Sequence, residues 1–95
     1  MAMLDGRTAS EIADMLRFAA VNGASSGALS MLDEGALAFR HRPGVTPALQ
    51  AFSASRLAYQ RAGNDAWPAV AAASRSLADA LRTAGSERVP EGWNT

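Results

Sequence analysis

Apolar residues follow a helical spacing through the second half of the chain, from Thr46 to about Ala84. The steps between successive packing residues alternate between three and four without a break. This alternation keeps one stripe of a helix turned toward neighbouring helices, so it predicts a long packed helix. At ~1.5 Å per residue the helix would be roughly 58 Å long, too long for the core of a compact small domain. The stripe consists of Leu49, Phe52, Arg56, Tyr59, Gly63, Ala66, Val70, Ala73, Leu77 and Ala80.

A second helical pattern occupies the first half of the chain. Thr8 and Glu11 have the spacing of a capping box, in which each side chain bonds the backbone N–H of the other residue. The box precedes Ile12, where an apolar face begins that continues to Phe39. We therefore predict one helix over about residues 8–39, preceded by a loose N-terminal arm. Two glycines within residues 23–27 cost about 1 kcal/mol each relative to alanine, so the helix would be weak there and a loop is the alternative.

A turn separates the two patterns. Pro43 and Gly44 stop a helix, because proline cannot continue its hydrogen bonding and glycine readily adopts the left-handed conformation of a helix end. Thr46 is a suitable N-cap for the second helix, and Pro47 would then lie at the first helical position, where its missing N–H costs nothing. We therefore predict a turn at residues 40–46.

The cations just before this turn allow two interpretations. Arg40, His41 and Arg42 follow the first helix directly. Positive side chains near a helix C-terminus complement its partial negative charge, which makes a charge-matched helix end the first interpretation. The second is a docking patch for an acidic partner.

The second helix is expected to bend near Pro68. A proline inside a helix removes one backbone hydrogen bond and clashes with the preceding turn, which predicts a kink. Asn64 or Asp65 could instead cap a restarted helix, with Pro68 inside its first turn. Trp67 would be either a core anchor at the bend or an exposed contact for a partner. Gly85 is a suitable helix end, so residues 85–95 are predicted to form a tail.

Composition narrows the function classes. The 95 residues carry nine acidic and nine basic side chains, so no basic field favours nucleic acid. The chain has no Cys and a single His, which gives no metal cluster, and we expect no cofactor. Asp33 and Glu34 are adjacent, but neighbours on a helix point about 100° apart, so we interpret them as solvated surface. We predict neither an enzyme nor a membrane span, and no cleaved signal peptide at the N-terminus.

Together these elements predict an all-α single domain over residues 1–95, with a helix at about 8–39, a turn at 40–46, a kinked helix at 47–84 and a tail at 85–95. Its fold would be an antiparallel two-helix hairpin. A hairpin of this size seldom buries enough surface to be stable, so a partner would complete a four-helix bundle. The predicted partner interface consists of Ile12, Leu16, Leu49, Phe52, Arg56, Tyr59, Trp67, Val70, Leu77 and Leu81, and the turn is marked by Pro43, Gly44 and Pro47.

Several segments, in this order, resemble one known family. They are Ala24-Ser-Ser-Gly27, the proline-containing turn before Phe52, Tyr59 seven residues later, and Leu77-Ala-Asp-Ala-Leu-Arg-Thr-Ala84. This set is similar to the EspC-like targets of type VII (ESX) secretion, relatives of the WXG helical hairpins. Two features of those families are missing: the turn has no Trp-x-Gly, and Arg88 stands about where their export signal has a Tyr.

The resemblance implies a non-enzymatic interaction protein of a type VII secretion system. It would be a secreted EspC-like substrate or the partner and chaperone of a larger secreted protein, and Arg56 would pair with an acid across the interface. Its partner would be another helical hairpin, a larger substrate, or a second copy of itself. Such a protein is cytoplasmic before export and then secreted or associated with the cell envelope. Without the signal Tyr, we expect no export of the chain alone. The alternative is a cytoplasmic homodimeric helical adaptor; a membrane-active hairpin is disfavoured because neither helix has a basic polar face.

Overall fold

Glycines with positive φ divide the two helical patterns into four helices. The computed structural model describes residues 4–91, and within them α1 spans Ala9–Asn22, α2 Ser26–Leu37, α3 Val45–Ala62 and α4 Trp67–Leu81. A four-residue 3-10 helix, Gly63–Ala66, connects α3 to α4. The described residues form no strand beyond one isolated antiparallel bridge between Thr8 and Arg88. The prediction of an all-helical chain is confirmed.

The capping box begins α1 as predicted, but the helix ends at Asn22. The Thr8 side chain accepts from the Glu11 N–H, and the Glu11 side chain accepts from the Thr8 N–H. Gly23 then turns to a φ of 85° and ψ of 164°, a conformation that only glycine adopts at low cost. Ser25 caps α2 by accepting from the N–H of Ala28. The prediction of one helix over residues 8–39 is therefore wrong, and the loop alternative is found.

The second pattern breaks at Gly63 rather than at Pro68. Gly63 has a φ of 67° and donates its N–H to the carbonyl of Tyr59, which ends α3. Pro68 lies in the first turn of α4, where a missing N–H is harmless. The kinked helix predicted for residues 47–84 is therefore two helices, and the alternative of a restarted helix is the correct one. Neither Asn64 nor Asp65 caps it, because the N-cap is Ala66 and has no side-chain hydrogen bond.

The turn between α2 and α3 covers residues 38–44. Gly44, with a φ of 83°, is the N-cap of α3, two residues before the predicted cap. Thr46 instead lies in the first turn and donates its hydroxyl to the carbonyl of Arg40 at 3.2 Å. Pro47 therefore stands at the third helical position, where its nitrogen also needs no partner. Exposed Pro43 lies within the turn, as predicted.

The four helices of the described chain close into a ring around one core. The largest contacts are α1 with α4 and α4 with α3; α2 packs on α3, and α1 meets α2 least. The radius of gyration is 12.1 Å and the longest extent is 34 Å, as expected for a globular domain of this length rather than for a rod. Because the breaks fold each stripe back on the other, the chain covers its own apolar surface. The core contains Leu4, Ile12, Leu16, Leu29, Leu32, Phe39, Val45, Leu49, Phe52, Val70, Leu77, Leu81 and Val89, with several alanines.

Both ends of the described chain are held against the helices. Leu4 is only 3% exposed and packs in the core together with Val89. The N–H of Gly6 donates to the carbonyl of Val89 at 2.8 Å, and the N–H of Val89 donates to Arg7 at 2.9 Å. The N-terminal arm is therefore not loose from residue 4 onward, and the predicted tail is docked up to residue 89. The remainder of the arm and tail, residues 1–3 and 92–95, lies outside the described residues.

Candidate partner-binding surface

Most of the predicted partner interface lies in the interior of the chain itself. The buried members are Ile12, Leu16, Leu49, Phe52, Val70, Leu77 and Leu81. The helical spacing correctly marked these residues as packing residues, but the partner helices come from the same chain. The physical reason is the pair of breaks at Gly23 and Gly63, which give four helices in place of two. A partner that binds this structure must contact other residues.

Tyr59 and Trp67 pack against each other on either side of the 3-10 helix. Their ring centroids are 5.2 Å apart and their planes cross at 68°, an edge-to-face contact. Both side chains are partly buried against the core. Trp67 therefore packs at the bend, as the first interpretation has it, and remains partly accessible.

Arg56 pairs with an acid of its own chain. Its Nε lies 2.5 Å from Oδ2 of Asp33, and the hydroxyl of Ser53 donates to the same oxygen at 2.7 Å. The side chains of Arg56 and Asp33 are only 20% and 14% exposed, so this pair links α2 to α3 in a largely shielded position. The interpretation of Asp33 as solvated surface is wrong, whereas Glu34 is exposed.

The cations of the turn are engaged by the C-terminal segment. Nε2 of His41 lies 2.9 Å from Oε1 of Glu87, and the guanidinium of Arg42 pairs with the other carboxylate oxygen. The hydrogen bond from His41 is the largest influence that lowers the pKa of Glu87, and Arg42 lowers it further; partial burial opposes both. Arg40 donates to the carbonyl of Leu37 at the end of α2, which is the charge-matched helix end. His41 and Arg42 thus already meet an acid of this chain.

A groove lies open between α1 and α2, at the contact where the ring of helices is weakest. Its volume is about 520 Å³, within the usual range of ligand pockets. Small residues on both walls leave it unfilled, because they project too little to meet across the gap. We define the α1–α2 groove by the residues that line it: Asp14, Met15, Phe18, Ala19, Gly23, Ala24, Ala28, Met31 and Leu32.

Two large apolar side chains stand exposed beside this groove. Phe18 lines it and is 67% exposed, and Val21, one turn further along α1, is 75% exposed. The sequence carried a signal for Phe18. It lies two positions after the buried Leu16, which on a helix is about 200° around the axis, and three after Met15. Met15 and Phe18 therefore begin a second apolar stripe, on a different side of α1 from Leu16.

A second, more polar depression lies between α2 and α3, with a volume of about 480 Å³. Asp33 and Ser53 line it together with Leu37 and Gln50. The carboxylate at its base is the one that Arg56 and Ser53 already satisfy. Its charge is therefore not available to select a ligand.

Within residues 4–91, no three His, Cys, Asp or Glu side chains lie close enough together to hold a metal ion. None of the helices described is long and apolar enough to cross a membrane. Comparison of the chain with protein-family models, with curated proteins and with solved structures found no match. The fold and surface define the class: a small all-helical protein with a self-contained core and, among the described residues, a largely apolar groove beside exposed side chains.

Proposed function

We propose that this protein is a non-enzymatic helical interaction protein that binds its partner in the α1–α2 groove. The observation that carries the proposal is an apolar groove with the exposed Phe18 on its wall and Val21 nearby. Leaving a phenylalanine and a valine in water forgoes part of the hydrophobic stabilisation of a small chain. A contiguous apolar surface of this kind is typical of a binding site for another molecule.

The groove is poorly equipped for chemistry. Of the described residues that line it, Asp14 alone is titratable at ordinary pH. General acid–base or nucleophilic catalysis needs at least one further group within hydrogen-bond reach. The two carboxylates with lowered pKa values, Glu11 and Glu87, are accounted for by the helix cap and by the ion pair with the turn. These observations favour binding over catalysis.

The cellular setting that we propose is type VII secretion, and it rests on the sequence resemblance over residues 24–84. In that setting the chain is an EspC-like substrate or the partner and chaperone of a larger secreted protein. Because the chain already assembles four helices, a partner helix would add a fifth beside α1 and α2. It would not complete a four-helix bundle together with a two-helix hairpin. The protein would be cytoplasmic before export and secreted or associated with the envelope afterwards.

The C-terminal segment supports dependence on a partner for export. Residues 86–91 are not helical, and Arg88 donates to the carbonyl of Gly6 at 2.7 Å in the place where the resemblance would have the signal Tyr. An acid one turn later on a helix therefore cannot be displayed by these residues. We propose that the signal is supplied by the partner.

The test is expression of a tagged chain with and without its neighbouring gene, followed by comparison of culture filtrate with cell lysate. We expect co-purification with the neighbour's product and no export of the lone chain. Export of the lone chain would overturn the dependence on a partner. A stable dimer of the lone chain, with no binding of any neighbouring product, would instead favour the homodimeric adaptor.

A further inference from the structure

The geometry points to an amphipathic helix of a different chain as the occupant of the α1–α2 groove, with a Lys or Arg beside its apolar stripe that pairs with Asp14. This inference rests on the proposed function and names the chemistry of the partner. It follows from the shape of the groove, from the position of its one carboxylate, and from what a second copy of the chain would bring.

The shape suits a helix. Two helices form the walls, and Ala19, Ala24 and Ala28 allow the backbone of a third to approach closely. Helix-in-groove recognition uses side chains at positions i, i+3, i+4 and i+7 that enter such a depression. Met15 and Met31 line the groove as well, and methionine adapts its shape to the side chain that it meets.

The charge selects among helices. Asp14 is 82% exposed at the groove, and its one ion pair in the described chain is a long contact of 3.8 Å with Arg17. Arg17 makes a closer contact of 3.0 Å with Asp79, so it is shared between two acids. No cation lines the groove within residues 4–91. A basic residue on the incoming helix would therefore find an accessible carboxylate that is only weakly paired, since Arg17 lies closer to Asp79.

A second copy of the chain does not supply that residue. In a two-fold dimer the same surface patch meets itself, so each groove would meet another groove that contributes Asp14 and no lining cation. A head-to-tail contact with some other surface would assemble the chain into a ring or a filament, which the test below detects as self-association. A lipid surface is also disfavoured, because attraction to anionic headgroups requires basic residues around the apolar patch.

The test uses the full chain and two synthetic helical peptides of 18 residues, identical in their leucine stripe and differing only in Lys or Glu beside it. Affinity is measured by titration calorimetry at low and high salt, and amide chemical shifts locate the site. We expect the Lys peptide to bind about 5-fold more tightly at low salt, with the preference reduced at high salt. Asp14→Lys should reverse the preference. Phe18→Ser should weaken both peptides by about 10-fold or more, as loss of an aromatic anchor does.

Leu57→Ser is the matched control, since Leu57 is an exposed apolar residue of α3 away from the groove and its replacement should leave both affinities unchanged. Equal binding of the two peptides would overturn the charge selection. Self-association of the chain that Phe18→Ser abolishes would show that the occupant is a second copy. If a native partner binds Phe18→Ser as well as the parent chain, the groove is not its site and the proposed function is overturned as well, whereas equal binding of the two peptides overturns the charge selection alone.

Discussion

Helix α2 has two places where its own side chains are too small to fill the space beside it. One space is filled by another part of the chain, and the other stays open. At Gly35, near the end of the helix, Leu4 lies so close that an added Cβ would come within 2.5 Å of its Cδ1. At Ala28, near the beginning, no side chain fills the space and the α1–α2 groove remains. Small residues therefore permit a close approach in both places. Whether a binding surface results depends on what the rest of the chain brings to cover it.

The side chain that packs over Gly35 is held in place by contacts between segments distant in sequence. Leu4 is positioned by the N-terminal segment, whose Gly6 and Arg7 bond to Val89 of the C-terminal segment. At the other end of α2, the chain passes from Asn22 through Gly23 directly into the next helix and brings no bulky residue. The difference lies in tertiary contacts, because both places have the same kind of local sequence.

The largest expected effect is the difference in stability loss between two phenylalanine-to-alanine substitutions, one in the core and one beside the groove. Phe52 is fully buried, so Phe52→Ala should lower the free energy of unfolding by about 3–5 kcal/mol. Phe18 is mostly exposed, so Phe18→Ala should change it by less than about 0.5 kcal/mol. Urea denaturation followed by circular dichroism measures both. A similar loss of stability in the two variants would show that Phe18 belongs to the core.

The second prediction tests the packing of Leu4 over Gly35. Gly35→Ala should destabilise the chain by about 1–3 kcal/mol, because the new methyl group must displace Leu4. The loss should be smaller when Leu4→Ala is already present, so a double-mutant cycle isolates the clash.

Gly27→Ala is the matched control for this change, since a Cβ there meets only the Ser25 hydroxyl at 3.9 Å. It should be neutral or stabilising by up to about 1 kcal/mol, because alanine is the better helix former. If Gly35→Ala were equally harmless, Leu4 would not be packed over α2 as described.

The third prediction concerns the break that creates the groove. Gly23→Ala should cost about 1–3 kcal/mol, since the φ of 85° and ψ of 164° are accessible essentially to glycine alone. The added methyl group itself meets open space, so the cost is conformational and not steric crowding. Thermal melts would measure it, and amide chemical shifts would follow the groove residues. A variant of unchanged stability would favour a continuous helix through this region.

The smallest effect concerns the C-terminal segment that helps to hold Leu4 in place. The pKa of Glu87 is lowered from an ordinary value of 4.5 by His41 and Arg42. Its ionised form is thus favoured in the folded chain, and the resulting stability is present above that ordinary value and is lost as pH falls through the lowered pKa. Glu87→Gln should be less stable than the parent near neutral pH, and the difference should vanish in acid.

Denaturation curves at a series of pH values test this, with Glu34→Gln as the control because Glu34 is an exposed carboxylate on α2. A difference between Glu87→Gln and the parent that stays constant from neutral pH into acid would mean that the ion pair is not its source.

Local features of the sequence were sufficient for much of the fold. The capping box of Thr8 and Glu11 depends on residues three apart, and it forms as predicted. Pro43 and Gly44 mark the turn between α2 and α3 for the same reason, although the helix boundaries moved by two residues. The helical spacing also identified Phe52 and its neighbours as packing residues, since burial on one face is encoded in the period of the apolar positions.

Tertiary structure decided where the helices break and what covers each face. The glycines within residues 23–27 predicted a helix of low stability there, with a loop as the alternative. The loop forms because the break lets α1 and α2 both pack on the same core. The acids that meet Arg42 and Arg56 could not be read from the sequence either, since Glu87 and Asp33 lie 45 and 23 residues away. Hydrogen bonds within one turn follow from neighbouring residues, whereas contacts between distant segments depend on the whole chain. The sequence alone therefore determined an all-helical chain with a buried stripe, and the folded arrangement determined that the stripe is covered by the chain itself while the α1–α2 groove stays open.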